Sequence, residues 1–135
     1  MKKIFVDTSG WGNLVVQSQE FHTKTKEIYL SAKQNNTRLT TTSYILTEIT
    51  ALFFSPLRVS RLKTIAFIEG IKNSSLVDII HIDERIEQES WKLFSNRIDK
   101  DWSLVDCSSF VVMEEKKISD ALTTDQHFEQ AGFIR

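Results

Sequence analysis

Four acidic side chains stand at positions where an α/β fold commonly carries out its chemistry. Each lies at the end of a predicted strand or on the helix that follows one; they are Asp7, Glu48, Asp106 and Asp125. In an open parallel sheet the carboxyl ends of the strands face one crevice, so acids there converge although they are far apart in the sequence. Convergent carboxylates indicate a hard divalent cation, Mg²⁺ or Mn²⁺, and phosphate chemistry.

Asp7 directly follows a short apolar strand, which would deliver its carboxylate to the mouth of the sheet. The same residue could instead be an ordinary N-cap for the helix that contains Trp11. Thr8 and Ser9 supply hydroxyl groups that could orient the carboxylate, or that could simply shape the turn.

Glu48 lies about 40° around its predicted helix from Leu52, at the border of the apolar stripe. A helix that needed only solubility would not need an acid there, although a surface salt bridge would also explain it. Asp125 follows the last predicted strand and is either a site residue or another N-cap.

Asp106 lies on a helix that is apolar nearly all round, with Phe110 one turn on and Met113 two turns on. A buried carboxylate must be protonated, paired or bound to a cation, because an unpaired buried charge is costly. A capping box with Ser103 as N-cap is the competing explanation, and the two roles can coexist. Asp101, nearby in the sequence, is a candidate fifth acid or a loop residue.

Two further polar residues lie beside these acids in the sequence. His127, two residues after Asp125, is a candidate for phosphate binding, although a loop histidine is commonly only polar surface. Cys107, next to Asp106, has no histidine partner at a recognisable spacing and is most simply a small core residue.

Apolar runs bounded by turn formers predict the elements that must position these residues. Strands are predicted at residues 4–6, 38–41, 76–82 and 118–123, with a short edge strand at 133–134. Helices are predicted at about 21–33 and from about Ser103 to Lys116. One more is predicted to begin after an N-cap at Thr42 or Ser43, and another to run from Pro56 to about Ile71. A fifth is predicted to begin after an N-cap at Asp83 and to continue through Trp91 and Phe94. The alternation of strands and helices predicts a parallel sheet covered on both faces.

Length and composition indicate one domain that spans residues 1–135, since 135 residues with 41% hydrophobic content can form one core but not two. The first residues lack the apolar core of a signal peptide, and no apolar run is long enough to span a bilayer. We therefore expect a cytoplasmic protein without a membrane segment.

The net charge of −1 argues against a protein that coats nucleic acid by charge alone. It does not exclude a nuclease, because an acidic pocket lowers the total charge. A local basic face formed by Arg58, Arg61 and Lys63 could hold a phosphate backbone, or it could be a solvated helix face.

Four motifs together resemble the PIN-domain ribonucleases, and most of all the VapC-type toxins of bacterial toxin–antitoxin pairs. They are Ile-Phe-Val-Asp-Thr-Ser at 4–9, Thr-Glu at 47–48, Asp-Trp-Ser-Leu-Val-Asp-Cys-Ser-Ser-Phe at 101–110 and Thr-Thr-Asp-Gln-His-Phe at 123–128. Their order and spacing cover essentially the whole chain, and the third and fourth motifs are the most specific.

This resemblance implies a three-layer sandwich with a central, mostly parallel sheet of four to five strands flanked by helices. It implies Mg²⁺- or Mn²⁺-dependent endonucleolytic hydrolysis of RNA that leaves a 3′-hydroxyl and a 5′-phosphate. The residues to which it gives metal-site roles are Asp7, Glu48, Asp106 and Asp125, with Asp101 as a possible addition and Ser9 and Thr124 in support. It also implies a homodimer and a small antitoxin protein, whose surfaces could include aromatic residues that core packing explains equally well: Trp11, Phe53, Phe54 and Phe67.

Other functions stay open at this point. A housekeeping PIN nuclease of RNA maturation or decay would have the same site without an antitoxin, and a non-catalytic PIN-fold interaction module would lack a shared metal site. A phospho-accepting receiver domain is disfavoured because no acidic pair follows the first strand. A phosphatase of the haloacid dehalogenase type is disfavoured because Ser9 stands where its second acid would be.

Overall fold

A computed structural model describes residues 2–15 and 22–135. The strands are β1 (Lys3–Val6), β2 (Arg38–Thr42), β3 (Val77–Ile80) and β4 (Asp120–Leu122). The helices are α1 (Thr8–Val15), α2 (His22–Gln34), α3 (Ser43–Phe54), α4 (Arg61–Asn73), α5 (Glu84–Asn96), α6 (Leu104–Lys116) and α7 (His127–Gln130). Among the residues described, none of these helices combines the length and the apolar character needed to cross a bilayer.

The four strands form one sheet in the order β3-β2-β1-β4, and every pairing is parallel. In β1 the neighbouring residues Phe5 and Val6 are both buried. Since successive side chains point to opposite faces of a strand, helices must cover both faces of the sheet. The predicted fold class is therefore confirmed.

Most predicted elements lie within two or three residues of the observed ones, and the differences have local causes. Phe21, the predicted start of α2, lies outside the described residues. The strand predicted at 118–123 is shorter because Lys117 is left-handed and the Ile118 amide donates to the Met113 carbonyl, which closes α6. The predicted edge strand at 133–134 is a single parallel bridge between Ile134 and Asp120.

The helix predicted from Pro56 to Ile71 was wrong at its start, because α4 begins only at Arg61. The Leu57 amide donates to Leu52 and the Val59 amide to Phe53, so this segment closes α3. Arg58 has a φ of 51°, which is incompatible with a continuing right-handed helix. The true N-cap is Ser60, whose hydroxyl accepts from the Lys63 amide.

Gly10 allows the first turn of α1 to lie directly against β4. A Cβ atom at this position would stand 2.3 Å from the Leu122 carbonyl oxygen and 3.0 Å from a methyl group of Val6. No side chain larger than hydrogen fits without moving backbone. The packing brings the residues just before Gly10 beside the end of β4, where the acidic motifs meet.

We expect Gly10→Ala to lower the free energy of unfolding by about 2 kcal/mol, because the new methyl group forces α1 away from β4. Urea denaturation measures the change. Gly70→Ala is the matched control: Gly70 lies inside α4, and a Cβ atom there would have nothing within 4 Å, so alanine should stabilise by about 0.5–1 kcal/mol. Equal stability of the two variants would contradict the close approach of α1 to β4.

Candidate active site

Asp7 is buried where β1 ends, and its carboxylate is held by a hydroxyl from the end of β4. The Asp7 amide donates to the Leu122 carbonyl at 3.3 Å, and Thr123 Oγ1 donates to Asp7 Oδ2 at 3.0 Å. The pairing of Val6 with Leu122 sets this contact, because the next residue on each strand then lies side by side. Asp7 is 5% exposed.

A directed chain of hydrogen bonds continues outward from Thr123. Because its single hydroxyl hydrogen goes to Asp7, the Ser9 hydroxyl must donate to Thr123 Oγ1 at 3.1 Å. Ser9 Oγ in turn accepts from the Thr124 amide at 3.0 Å, and Thr123 Oγ1 accepts from the Asp125 amide at 2.9 Å. Ser9 thus lies in the network as a side chain, whereas Thr124 joins it through its backbone.

Glu48 reaches the same region from α3. This helix begins directly after β2, with Thr42 as N-cap accepting from the Ile45 amide at 3.2 Å. Thr8 Oγ1 donates to Glu48 Oε1 at 2.5 Å, across 40 residues of sequence. The carboxylate therefore has a hydroxyl partner, and among the described residues Glu48 does not form the surface salt bridge that was the alternative explanation.

Asp106 has both of the roles that its sequence position allowed. Its Oδ2 accepts from the Ser103 amide and the Ser103 hydroxyl accepts from the Asp106 amide, each at 3.0 Å, which forms a capping box at the start of α6. The residue is 8% exposed and its Oδ2 also lies 3.0 Å from His127 Nδ1. Capping fixes the carboxylate without directing it away from the other acids.

Asp125 and His127 are joined at the start of α7. The His127 amide donates to Asp125 Oδ1 at 2.9 Å, and His127 Nδ1 lies 3.2 Å from the same oxygen. Each of Asp106, Asp125 and His127 offers one ligand atom, and these atoms all lie within 4.8 Å of one another. Within the described ranges this is the sole group of three such side chains close enough to hold a metal ion.

Burial raises the pKa of Asp7 from its ordinary value of 3.8 to about 7. The Thr8 amide and the Thr123 hydroxyl oppose this shift, while the negative charges of Asp106 and Glu48 add to it. Asp7 is therefore electrostatically linked to both acids, although it lies outside the three-residue group. A nearby cation would reverse the shift by favouring the charged carboxylate.

The donor set at this edge of the sheet fits a hard divalent cation. It consists of carboxylate oxygens held by neutral hydroxyl and amide donors, with one imidazole nitrogen beside them. Oxygen-rich sets of this kind suit Mg²⁺ and Mn²⁺.

Other predicted site residues lie apart from the four acids. Asp101 is exposed, and among the described residues no hydrogen bond or ion pair joins it to them. Arg58, Arg61 and Lys63 are likewise exposed, and no ion pair within the described part of the chain connects them to the acids. Metal binding by Asp101 and RNA binding by the basic residues stay predictions.

Comparison with known proteins gives relatives that are named as VapC nucleases. No protein-family model matches the sequence. The chain is 29% identical over 131 residues to the 23S rRNA-specific endonuclease VapC20 of Mycobacterium tuberculosis. The aligned residues make up 97% of this chain and 95% of that protein. The chain is 34% identical over 82 residues to a VapC ribonuclease of Archaeoglobus fulgidus, which covers 60% of this chain and 50% of that protein.

The crystal structure of M. tuberculosis VapC20, described as a sarcin-ricin loop cleaving toxin, matches the fold. The TM-score is 0.85 with 27% identity, over 97% of this chain and 96% of that chain. Sequence and structure therefore agree along nearly the full length of both proteins. The chain is similar to VapC-type PIN-domain ribonucleases in both sequence and fold.

Two residues of this chain have contacts that the sequence does not reveal. The motif resemblance indicates Thr124 as a supporting residue, yet Thr123 is the residue whose side chain contacts Asp7. The strand register could have indicated the role of Thr123, because Asp7 and Thr123 directly follow residues of β1 and β4 that pair with each other. For His127 the sequence suggests phosphate binding, whereas its ring lies against two carboxylates.

The raised pKa of Asp7 makes the metal-free protein less stable as the pH rises. Below about pH 4 the carboxyl is protonated in folded and unfolded chains alike. Between 3.8 and about 7 the unfolded chain releases its proton while the folded one keeps it, so stability falls with increasing pH. Above about pH 7 the folded protein holds the buried charge and the full penalty is present.

We expect Asp7→Asn to raise the Tm of EDTA-treated protein by about 4 °C or more at pH 8 and by much less at pH 4.5. Asparagine never ionises, and its amide oxygen still accepts from Thr123. Differential scanning calorimetry at both pH values measures the effect, with Asp101→Asn as a control that removes an exposed carboxylate. A Tm difference that does not change with pH would contradict a buried, pH-dependent Asp7.

Proposed function

We propose that this chain is a metal-dependent endoribonuclease that hydrolyses RNA phosphodiester bonds and acts as the toxin of a toxin–antitoxin pair. The observation that carries the proposal is the convergence of four acids from four separate parts of the chain in a fold that matches a ribonuclease toxin along its length. Mycobacterial VapC20 is named for cleavage of 23S rRNA, so ribosomal RNA is the first substrate to test.

Asp7, Glu48, Asp106 and Asp125 would hold Mg²⁺ or Mn²⁺, in one or two ions. When bound, such an ion supplies Lewis-acid chemistry: it lowers the pKa of a water nucleophile and stabilises negative charge on phosphate oxygens. The chain's own residues orient the carboxylates. Their donors are Thr123 for Asp7, Thr8 for Glu48, the Ser103 amide for Asp106 and the His127 amide for Asp125.

A cavity of about 500 Å³ lies along β4 and reaches the residues that follow it, Thr123 and Thr124, although none of the four acids lines it. Its charged lining residues are two cations, Lys24 and Arg135, and two acids, Asp120 and Glu129, of which Glu129 pairs with Arg135. Arg135 Nη1 donates to the Thr124 carbonyl at 2.8 Å, which holds the guanidinium close to the end of β4. We propose that these cations contact RNA phosphates, since phosphate contacts by Lys and Arg supply most of the affinity for nucleic acid.

Exposed apolar side chains support the proposal that the chain binds other proteins. Trp11 and Phe53 are core residues, with 2% and 0% of their surface exposed. Phe54, by contrast, is 75% exposed, and on the following helix Leu62 is 80% and Ile65 is 50% exposed. Leu62 and Ile65 lie about one turn apart on α4, and contiguous exposed apolar surface commonly marks an interaction site. We propose that a small antitoxin protein covers the exposed apolar surface of α3 and α4, and that the chain forms a homodimer.

We expect Asp106→Asn to reduce metal-dependent RNA cleavage by at least about 100-fold while the protein stays folded, since asparagine can still accept from the Ser103 amide. Primer extension on ribosomes and isolated tRNA, with Mg²⁺ or Mn²⁺ and with EDTA, maps and quantifies the cuts. Asp99→Asn, which removes an exposed carboxylate paired with Arg97, is the matched control and should cleave normally. Equal cleavage by Asp106→Asn and wild type would reject the site. A metal-binding protein without cleavage of any RNA would favour the interaction module.

We expect Thr123→Val to lower cleavage by about 10- to 100-fold, because the Asp7 carboxylate loses its donor and the Ser9 hydroxyl loses its acceptor. Thr123→Ser keeps the hydroxyl and should retain most activity. Initial rates on a short RNA that spans the mapped cut, with circular dichroism to verify folding, measure the difference. Similar rates for the valine and serine variants would show that the hydroxyl is dispensable.

A further inference from the structure

We propose that His127 is a metal ligand through Nδ1, and that this nitrogen makes the site prefer Mn²⁺ over Mg²⁺. The inference rests on the proposed function, because it concerns the same ion. It adds a nitrogen donor to a set that the sequence presents as carboxylates alone.

The spacing of the ring nitrogen supports direct coordination. His127 Nδ1 lies 3.0 Å from Asp106 Oδ2 and 3.2 Å from Asp125 Oδ1. Two adjacent ligands at right angles around an ion with bonds of about 2.1–2.2 Å are separated by about 3.0–3.1 Å. The ring nitrogen therefore already has the separation of a neighbouring ligand from each of the two carboxylate oxygens.

The backbone fixes the imidazole in this position. The His127 amide donates to Asp125 Oδ1, so ring and carboxylate move together. The next residue, Phe128, is fully buried and packs on Phe5 and Phe110, with ring centroids 6.2 and 5.0 Å away. The histidine side chain is 24% exposed and lies at the edge of the site, beside the acids.

The identity of the donor atom predicts selectivity between ions. Mg²⁺ binds oxygen ligands and keeps several waters, whereas imidazole nitrogen suits transition ions. Mn²⁺ accepts both carboxylate oxygen and imidazole nitrogen. Loss of the nitrogen should therefore weaken Mn²⁺ binding much more than Mg²⁺ binding, for which a water can replace the ring.

The test is binding of Mn²⁺ and Mg²⁺ to the purified full chain, with pulsed electron paramagnetic resonance of the Mn²⁺ complex. We expect a ¹⁴N coupling from a directly bound imidazole in wild type and its loss in His127→Ala and His127→Asn. Titration calorimetry should show Mn²⁺ affinity at least about 10-fold weaker in both variants, with Mg²⁺ affinity changed by less than about 3-fold. His81→Ala, which removes an exposed histidine, is the control and should retain the coupling.

Three results would overturn the inference, and only the last of them would also reject the proposed function. Mn²⁺ binding by wild type without a ¹⁴N coupling, or equal weakening of both ions in the variants, would make His127 a positioning residue for the carboxylates and leave the nuclease proposal intact. Failure of wild type to bind either ion would reject the metal-dependent nuclease together with the role of His127.

Discussion

Burial of carboxylates close to one another is the constraint on which this structure depends: loss of hydration is the larger penalty for Asp7, and the neighbouring negative charges add to it. Asp7 and Asp106 are almost completely enclosed, and Asp7 interacts unfavourably with the charges of Asp106 and Glu48. Burial of like charges costs several kcal/mol for each ion unless hydrogen bonds or a counterion offset it. Other parts of the fold must therefore stabilise the acids in this arrangement against the cost of burial and repulsion.

The packing behind the acids supplies this resistance. Phe110 lies one turn after Asp106 on α6, and its ring packs edge-on against Trp102 and Phe128, with centroids 5.0 Å away in each case. Phe128 also contacts Phe5 of β1. The aromatic cluster thus ties the elements that carry Asp7, Asp106 and His127 to one another. Large aromatic side chains contribute much of the burial energy of a core. The acids are therefore positioned by a strongly stabilised part of the hydrophobic core.

The sequence predicts the elements well where periodicity and caps are local signals. Asp83 and Ser103 cap α5 and α6 as expected, and the capping box of Asp106 could be predicted from four residues. The predicted start of α4 was wrong because the amides of Leu57 and Val59 bond to the preceding helix, which proline chemistry alone does not reveal. Thr123 and His127 depend on contacts 116 and 21 residues away, so only the assembled sheet could show their roles.

The carboxylates are held by neutral donors, and this choice has a chemical consequence. Within the described part of the chain no Lys or Arg forms an ion pair with any of the four acids, although arginine pairs occur elsewhere, as in Arg38 with Asp78 and Arg85 with Glu115. An arginine in the site would relieve repulsion permanently, but it would compete with any cation for the same oxygens. Hydroxyl and amide groups orient the carboxylates without neutralising them. No Lys or Arg within the described residues therefore occupies these oxygens, and a divalent cation is the partner that can offset the charge of the carboxylates.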